Sequence, residues 1–142
     1  ETGFYIAETE VHIMKIGTYF DDHEFACKCG RHGYDSDGHP ILDHIIDKRL
    51  VDVLDAIRER IGKPIEVLSG YRCPIHTKEV GGVPNSQHVE GTAADITYDG
   101  IDVDYLAQIA EECGADGIGC YYHQDFVHVD VRGYAARWND LD

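Results

Sequence analysis

This sequence of 142 residues has little positive charge, because 12 lysines and arginines face 27 aspartates and glutamates and give a formal net charge of −15. Proteins that bind nucleic acid contact its phosphates mainly through lysine and arginine. The composition therefore argues against a nucleic-acid partner, and it gives no basis for attraction to an anionic membrane surface. An acidic surface favours solubility, and some of the carboxylates could instead bind a hard cation such as Ca²⁺.

The sequence also lacks long apolar runs, internal repeats and low-complexity tracts. No run approaches the roughly 18 apolar residues of a membrane span, and no signal peptide opens the chain. The first residues, Glu1-Thr2-Gly3, include no methionine, so we expect a processed or truncated end, with which any native targeting segment would have been lost. The length predicts a single domain with one hydrophobic core, and we expect a monomer.

The cysteines cannot all pair within the chain, because their number is odd. A disulfide from Cys27 or Cys29 to Cys73 is one interpretation, which requires the N-terminal segment to fold over the loop around Arg72. Free thiols are a second interpretation, and a metal clip that also uses His32 is a third. The five cysteines are Cys27, Cys29, Cys73, Cys113 and Cys120.

Hydrophobic spacing predicts an α+β fold in which helices pack on an antiparallel sheet. Gly62 and Gly114 are expected to end the two helices, and Asp102 is expected to cap the second. Residues 30–40, rich in glycine, aspartate and histidine, are predicted to form a loop. The predicted helices cover about 43–61 and 103–113, and the predicted strands cover 10–16, 65–68, 93–98, 118–122 and 126–131.

Three residues have the types and the placement of a metal site. His88 and Asp95 lie close in sequence, and His128 follows in a run that alternates like a strand. Imidazole and carboxylate are donors that Zn²⁺ prefers, and a site with three protein ligands keeps a position for water, as catalytic zinc sites do. Each histidine alone could equally be a hydrogen-bonded core residue or an exposed edge residue. The constellation as a whole predicts a catalytic zinc site.

The period of a strand explains how these ligands could meet. In the run 126–131 the valines share one face, which we expect to be the core face. His128 and Asp130 then project from the opposite face, into a cleft. Asp95 also lies on the outward face of its predicted strand, at 93–98.

The run from Ser86 to Asp95 fits the pattern Ser-x-His-x-x-Gly-x-Ala-x-Asp at every fixed position. This pattern resembles the zinc D-Ala-D-Ala carboxypeptidases and their relatives, a superfamily that also contains the hedgehog signalling domain. Several other segments are similar to bacterial and phage members that act on peptidoglycan. These segments are Phe25–Gly30, Ser69–His76, Val80–Val83 and Ala136–Trp138, and the resemblance covers about residues 20–138.

The resemblance implies a hedgehog/DD-peptidase-like fold and a zinc peptidase that hydrolyses peptide bonds in peptidoglycan stem peptides. His88, Asp95 and His128 would hold Zn²⁺, which would activate a water molecule. Asp125, three residues before the last histidine, would act as the base, although many relatives carry glutamate there and turns favour aspartate for local hydrogen bonding. Arg72 would bind the substrate through its guanidinium, or form a structural ion pair.

Further residues have supporting roles in this interpretation. Asp130 would orient His128 by accepting its free imidazole N–H. Ser86 would hydrogen-bond near the metal or the substrate. His123 would donate to the developing oxyanion, or would simply be exposed.

A second metal and a second function are alternatives. Hedgehog domains carry an acidic calcium site, and a similar group of carboxylates occurs here, although a run of charge is usually a solvated surface. The alternative function is a hedgehog-like module that binds zinc, and calcium as well, with little or no catalysis. The expected calcium ligands are Asp99, Asp102, Asp104, Asp35 and Asp37.

The resemblance also implies where the protein acts. We expect a place outside the cytoplasm, in the bacterial envelope or secreted, or in a phage lysis or tail component. The bond that is cut stays open between D-Ala-D-Ala and L-Ala-D-Glu.

Overall fold

The computed structural model of this protein describes residues 15–28, 46–82 and 86–141. Most of the predicted strand at 10–16 and all of the predicted loop at 30–40 lie outside these ranges. Of the first, Lys15 forms an isolated antiparallel bridge with Asp21. A short 3₁₀ helix, Asp22–Phe25, follows.

The first long helix, α1, spans Lys48–Ile61 and buries its apolar side. It begins where the side chain of Asp47 accepts the backbone N–H of Arg49, and it ends at Gly62, whose φ of 77° is left-handed as helix ends often require. The predicted start at residue 43 is wrong, because residues 46 and 47 are not helical. The cap at Asp47 fixes the later start.

Two further helices follow along the chain. Helix α2, Pro74–Glu79, is short and was not predicted, although a proline in the first turn is a common helix start. Helix α3, Val103–Glu112, confirms the prediction, including its cap, because the side chain of Asp102 accepts the N–H of Tyr105.

Five strands form one sheet in the order β1-β2-β4-β3-β5. The first four strands pair antiparallel, as predicted. Strand β5 pairs parallel with β3, so the sheet is mixed and the prediction of a purely antiparallel sheet is wrong. The strands are β1 (Glu66–Ser69), β2 (Ala93–Thr97), β3 (Gly117–Tyr121), β4 (Phe126–Asp130) and β5 (Ala136–Asn139).

The turn between β4 and β5 explains the parallel pairing. Asp116, just before β3, accepts the N–H of Gly133 through its carboxylate and the N–H of Ala136 through its carbonyl. Gly133 has a φ of 104°, which favours glycine. After β4 the chain therefore crosses the start of β3, and β5 then runs along the edge of β3 opposite to β4, in the same direction as β3.

The core lies between the helices and one face of the sheet. Helices α1 and α3 contact each other, and α3 contacts β3 and β4. The valines of the run 126–131 belong to this core, as predicted, and so do Ala94 and Ile96 of β2. The opposite face of β2 and β4 is therefore left for polar side chains. Among the described residues no helix is long and apolar enough to cross a bilayer.

Candidate metal centre

The register of β2 and β4 brings two predicted ligands side by side. Asp95 pairs directly with His128, and both side chains lie on the face away from the helices. One oxygen of Asp95, Oδ1, lies 3.1 Å from Nδ1 of His128. The sheet therefore brings together an imidazole and a carboxylate that are 33 residues apart in the sequence.

The third predicted ligand, His88, comes from the turn before β2. The backbone N–H of His88 donates to Ser86 Oγ at 3.1 Å, and the backbone carbonyl of His88 accepts the N–H of Arg72 at 3.2 Å. These contacts fix the turn. His88 Nε2 then lies 3.1 Å from the same Oδ1 of Asp95 that faces His128.

The other ring nitrogens of both histidines face acceptors. Nδ1 of His88 lies 2.8 Å from the carbonyl oxygen of Gly70, and Nε2 of His128 lies 2.8 Å from Oδ2 of Asp130. Each of these nitrogens can therefore carry the proton and donate it. With the proton held there, the nitrogens that face Asp95 could present a lone pair to a metal ion, as metal ligands require.

The spacing of the three donors fits zinc. The ligand atoms of His88, Asp95 and His128 all lie within 4.8 Å of one another. Donors at about 2.0–2.2 Å from a tetrahedral zinc are roughly 3.3–3.5 Å apart, close to the 3.1 Å of the two histidine–aspartate contacts. The residues present therefore fit the ion that the donor types favour.

The electrostatics of the site favour an ionised Asp95. Burial by itself would raise the pKa of Asp95, but hydrogen bonds from His128 and His88 lower it well below its usual value. For His128, burial would lower the pKa, and the hydrogen bonds to Asp130 and Asp95 raise it above the usual value. In the absence of metal, a proton therefore competes for the nitrogen that zinc would use.

The donors open into a cleft of about 760 Å³. Arg72 lies on one side, where its Nε donates to Thr77 Oγ1 at 3.2 Å and its Nη2 lies 3.5 Å from Ser86 Oγ. Arginine and histidine side chains line the cleft, and the only carboxylate among its described lining residues is Asp95. The aromatic side of the cleft is formed by Tyr121, Phe126, Tyr134 and Trp138.

Comparison with known protein families assigns this chain to a family. The profile of the Peptidase M15 family matches residues 18–130. The chain belongs to this family. The match includes both segments that carry the three donors.

Several named relatives resemble this M15 chain. Peptidoglycan L,D-endopeptidase MepK of Escherichia coli K12 is 32% identical over 100 residues, which are 66% of this chain and 54% of the relative. A probable peptidoglycan L,D-endopeptidase MepK of Haemophilus influenzae is 30% identical over 106 residues, 69% of this chain and 56% of the relative. Zinc D-Ala-D-Ala carboxypeptidase of Streptomyces albus G is 39% identical over 80 residues, 54% of this chain and 31% of the relative. The chain spans about half the length of the MepK proteins and less of the carboxypeptidase.

The two remaining residues predicted to be catalytic in this M15 chain lie in the turn between β3 and β4. Asp125 is exposed, with a left-handed φ of 59°, and its carbonyl oxygen accepts the hydroxyl of Thr97 at 2.9 Å. His123 is exposed, and its backbone N–H donates to Asp140. Neither residue lines the cleft, although Gln124 between them does. Their catalytic roles stay predictions.

The acidic segment after β2 does not converge on a point. Asp102 caps α3 through the N–H of Tyr105, and Asp104 accepts the hydroxyl of Tyr122. Of the described residues, these carboxylates and that of Asp99 form no group of neighbouring metal donors. The calcium prediction gains no support from this segment, and the other two expected ligands, Asp35 and Asp37, lie outside the described residues.

The N-terminal segment does fold over the loop that carries Arg72. The carbonyl of Phe25 accepts the N–H of Tyr71 at 2.9 Å, and the N–H of Cys73 donates to Cys27 Sγ at 3.3 Å. This places two of the predicted partner cysteines next to each other. The pairing stays open, because the predicted contributors Cys29 and His32 lie outside the described residues.

Sequence reasoning missed the glycines of β3. A Cβ on Gly117 would lie 2.2 Å from Asp130 Oδ2, and a Cβ on Gly119 would lie 2.4 Å from the indole of Trp138. Both positions require glycine, because a side chain there would collide with Asp130 or with Trp138, which both contact His128. Glycine inside a strand does signal such an approach, but the sequence does not show which group approaches.

Proposed function

We propose that this chain is a zinc-dependent peptidase that hydrolyses peptide bonds in the stem peptides of peptidoglycan, with the hedgehog/DD-peptidase-like variety of the α+β fold. The observation that carries the proposal is the convergence of His88, Asp95 and His128 on one point in an open cleft. The names of the relatives, which include peptidoglycan endopeptidases and a zinc carboxypeptidase, support the substrate.

The donor set explains why zinc suits this reaction. Two neutral imidazoles and one carboxylate supply three ligands, so a tetrahedral ion keeps one position for solvent or substrate. Zn²⁺ held there would supply Lewis acidity toward the peptide carbonyl and would make a water molecule a nucleophile near neutral pH. His88, Asp95 and His128 would hold it, and Gly70 and Asp130 would keep the two rings in the required tautomers.

Arg72 would bind the substrate. Its guanidinium lines the same cleft as the three donors and is held in place by Thr77 and Ser86. Gly82 allows this approach, because a Cβ there would lie 3.3 Å from Arg72 Nη2. A planar guanidinium matches a carboxylate or a carbonyl oxygen through paired hydrogen bonds, and stem peptides carry both groups.

Asp125 would be the base that removes a proton from the attacking water and returns it to the leaving amine. Two observations support it over other carboxylates. Asp130 is fully buried and accepts hydrogen bonds from His128 and Arg132, so it is committed elsewhere. Asp125 is exposed and lies between Gln124 and Phe126, which both line the cleft.

The proposed place of action is the bacterial envelope, the exterior of the cell, or a phage component that meets the cell wall. The cleavage would be of the endopeptidase or the carboxypeptidase type. The relatives' names include both types.

Digestion of purified peptidoglycan tests the proposal. The protein is incubated with the polymer with zinc, with a chelator, and with zinc restored, and the fragments are identified by mass. We expect zinc-dependent cleavage by the native chain and none by Asp95→Asn. New amino termini indicate an endopeptidase, and released D-alanine indicates a carboxypeptidase. Zinc binding without any cleavage would overturn the proposal and favour the hedgehog-like binding module.

A further inference from the structure

Asp130 lies at the centre of a buried group of hydrogen bonds behind His128. Its side chain is 0% exposed. Its Oδ1 accepts the backbone N–H of Gly117 at 3.0 Å and that of Arg132 at 3.1 Å. Its Oδ2 lies 2.8 Å from Nε2 of His128. These contacts have ordinary hydrogen-bond lengths, and because they engage both oxygens they fix the orientation of the carboxylate.

The guanidinium of Arg132 closes this group from the side of the cleft. Its Nε lies 3.0 Å from Oδ1 of Asp130 and its Nη2 lies 2.7 Å from Oδ2. The same guanidinium lies over the rings of Trp138 and Tyr134, at 5.2 Å and 5.7 Å from their centroids. Arg132 is therefore fixed both by the carboxylate and by aromatic rings that follow it in the chain.

One oxygen is shared between the arginine and the histidine. Oδ2 of Asp130 contacts both Arg132 Nη2 and His128 Nε2. The position of the guanidinium therefore sets where this acceptor stands relative to the imidazole ring. The backbone of Gly117 packs closely against this carboxylate, because a Cβ on Gly117 would lie 2.2 Å from the same oxygen.

From this geometry we infer that Arg132 is a positioning residue for metal binding, which acts through Asp130 on His128. The fork of Arg132 fixes both oxygens of Asp130, and Asp130 then holds the Nε2–H of His128. With a proton held on that nitrogen, Nδ1, which faces Asp95, is the nitrogen left to bind the ion. The inference rests on the zinc site of the proposed function, but not on any particular substrate.

The prediction differs from that for a surface ion pair. The side chain of Arg132 is 19% exposed and that of Asp130 is 0% exposed, so the pair is shielded from solvent. Asp130 also contacts the imidazole of His128, which is one of the three metal donors of the proposed function. A purely structural role would change the stability of the zinc-free protein without a separate effect on zinc affinity. A substrate-binding role would change KM and leave zinc affinity alone.

Zinc affinity of the whole chain tests the inference. The dissociation constant is measured by competition with a chromogenic chelator for the native chain, Arg132→Gln, Arg132→Lys, Asp130→Asn and the double variant Asp130→Asn/Arg132→Gln. Circular dichroism and the melting temperature of each zinc-free variant show whether it is folded. Arg60→Gln is the matched control, because Arg60 pairs with Glu112 on the surface and lines no part of the cleft.

We expect Asp130→Asn to weaken zinc binding about 10- to 100-fold, the usual effect of losing a partner of a metal ligand. Arg132→Gln should also weaken it, by no more than Asp130→Asn does, because Arg132 acts through Asp130. Arg132→Lys keeps the charge but loses the fork and should weaken binding less. Arg60→Gln should bind zinc as the native chain does. The double variant should bind zinc about as well as Asp130→Asn alone, because residues that act through one another are not additive.

Native zinc affinity in a folded Arg132→Gln or Arg132→Lys protein would overturn the inference, and so would additive effects in the double variant. If Arg132→Gln does not fold, Arg132→Lys decides the outcome. The readout needs no substrate. A chain that depends on Arg132 for zinc but leaves peptidoglycan intact would contradict the proposed function and support this inference.

Discussion

Gly119 of β3 lies directly beside Trp138 of β5, and a Cβ on Gly119 would come within 2.4 Å of the indole ring. The bare backbone lets Trp138 reach His128 on β4, where the two ring centroids are 5.0 Å apart. The indole N–H donates to the hydroxyl of Tyr121 at 2.9 Å and fixes the ring. Strand β3 carries none of the three candidate ligands, but its glycine leaves the space in which Trp138 contacts His128.

Gly119→Ala should therefore displace Trp138. We expect the free energy of unfolding to fall by about 1–3 kcal/mol, as overpacking usually costs, measured by urea denaturation of the zinc-free protein. The same substitution in a Trp138→Ala background should cost much less, since the clash is gone. An equal cost in both backgrounds would show that the indole contact is not the reason.

Substitution of a zinc ligand should abolish stoichiometric metal binding. We expect one zinc per native chain by elemental analysis after dialysis, and far less for His88→Ala or His128→Ala. His123→Ala serves as the control, because His123 is exposed and outside the cleft. Full zinc content in either ligand variant would contradict the assignment.

Zinc should stabilise the fold by an amount that grows with pH. In the zinc-free protein the raised pKa of His128 gives stability that is present at low pH and is lost as the pH rises through that pKa. Zinc requires the deprotonated ring, so its contribution runs in the opposite direction.

The rise in melting temperature on adding zinc should therefore increase between about pH 5 and pH 8. His128→Ala should show no such rise at any pH. A zinc effect that is constant over this range would contradict the prediction.

Asp125→Asn should lower kcat by about 10²- to 10⁴-fold, the usual contribution of a general base, with zinc content unchanged. The measurement is the rate of peptidoglycan cleavage at saturating substrate. Asp99→Asn is a suitable control, since Asp99 is also exposed and is not among the cleft-lining residues. Native activity in Asp125→Asn would assign the base to another group.

Arg72→Lys should raise KM more than it lowers kcat, because lysine keeps the charge but cannot form the paired hydrogen bonds of a guanidinium. Steady-state kinetics on a soluble stem peptide would separate the two constants. Arg49→Lys is the control, since Arg49 pairs with Asp47 at the start of α1. A change in kcat alone would point to a role in the reaction step.

The sequence predicts the parts of this site that depend on local patterns. Alternating valines around His128 predict its face, and the structure buries those valines in the core. Asp102 and Gly62 mark helix ends because caps are local hydrogen-bonding features. Each of these features is decided within a few residues.

The parts that escaped prediction depend on long-range contacts. Strand β5 has only four residues, Ala136–Asn139, so its alternation covers only two apolar side chains, and nothing within it shows that it pairs parallel with β3. The roles of Gly117 and Gly119 follow from Asp130 and Trp138, which reach them only through the sheet register. The contact between Arg132 and Asp130 spans only two residues, but the burial of Asp130 against Gly117 depends on the register of β3 and β4.

Whether His88, Asp95 and His128 hold zinc is best tested by a crystal structure of the zinc-loaded chain with anomalous diffraction collected at the zinc edge. We expect one anomalous peak, from a zinc ion bound by Nε2 of His88, a carboxylate oxygen of Asp95 and Nδ1 of His128, each at about 2.0–2.2 Å, with a fourth position held by solvent. A zinc ion held by other residues, or a fourth protein donor in place of solvent, would contradict this expectation.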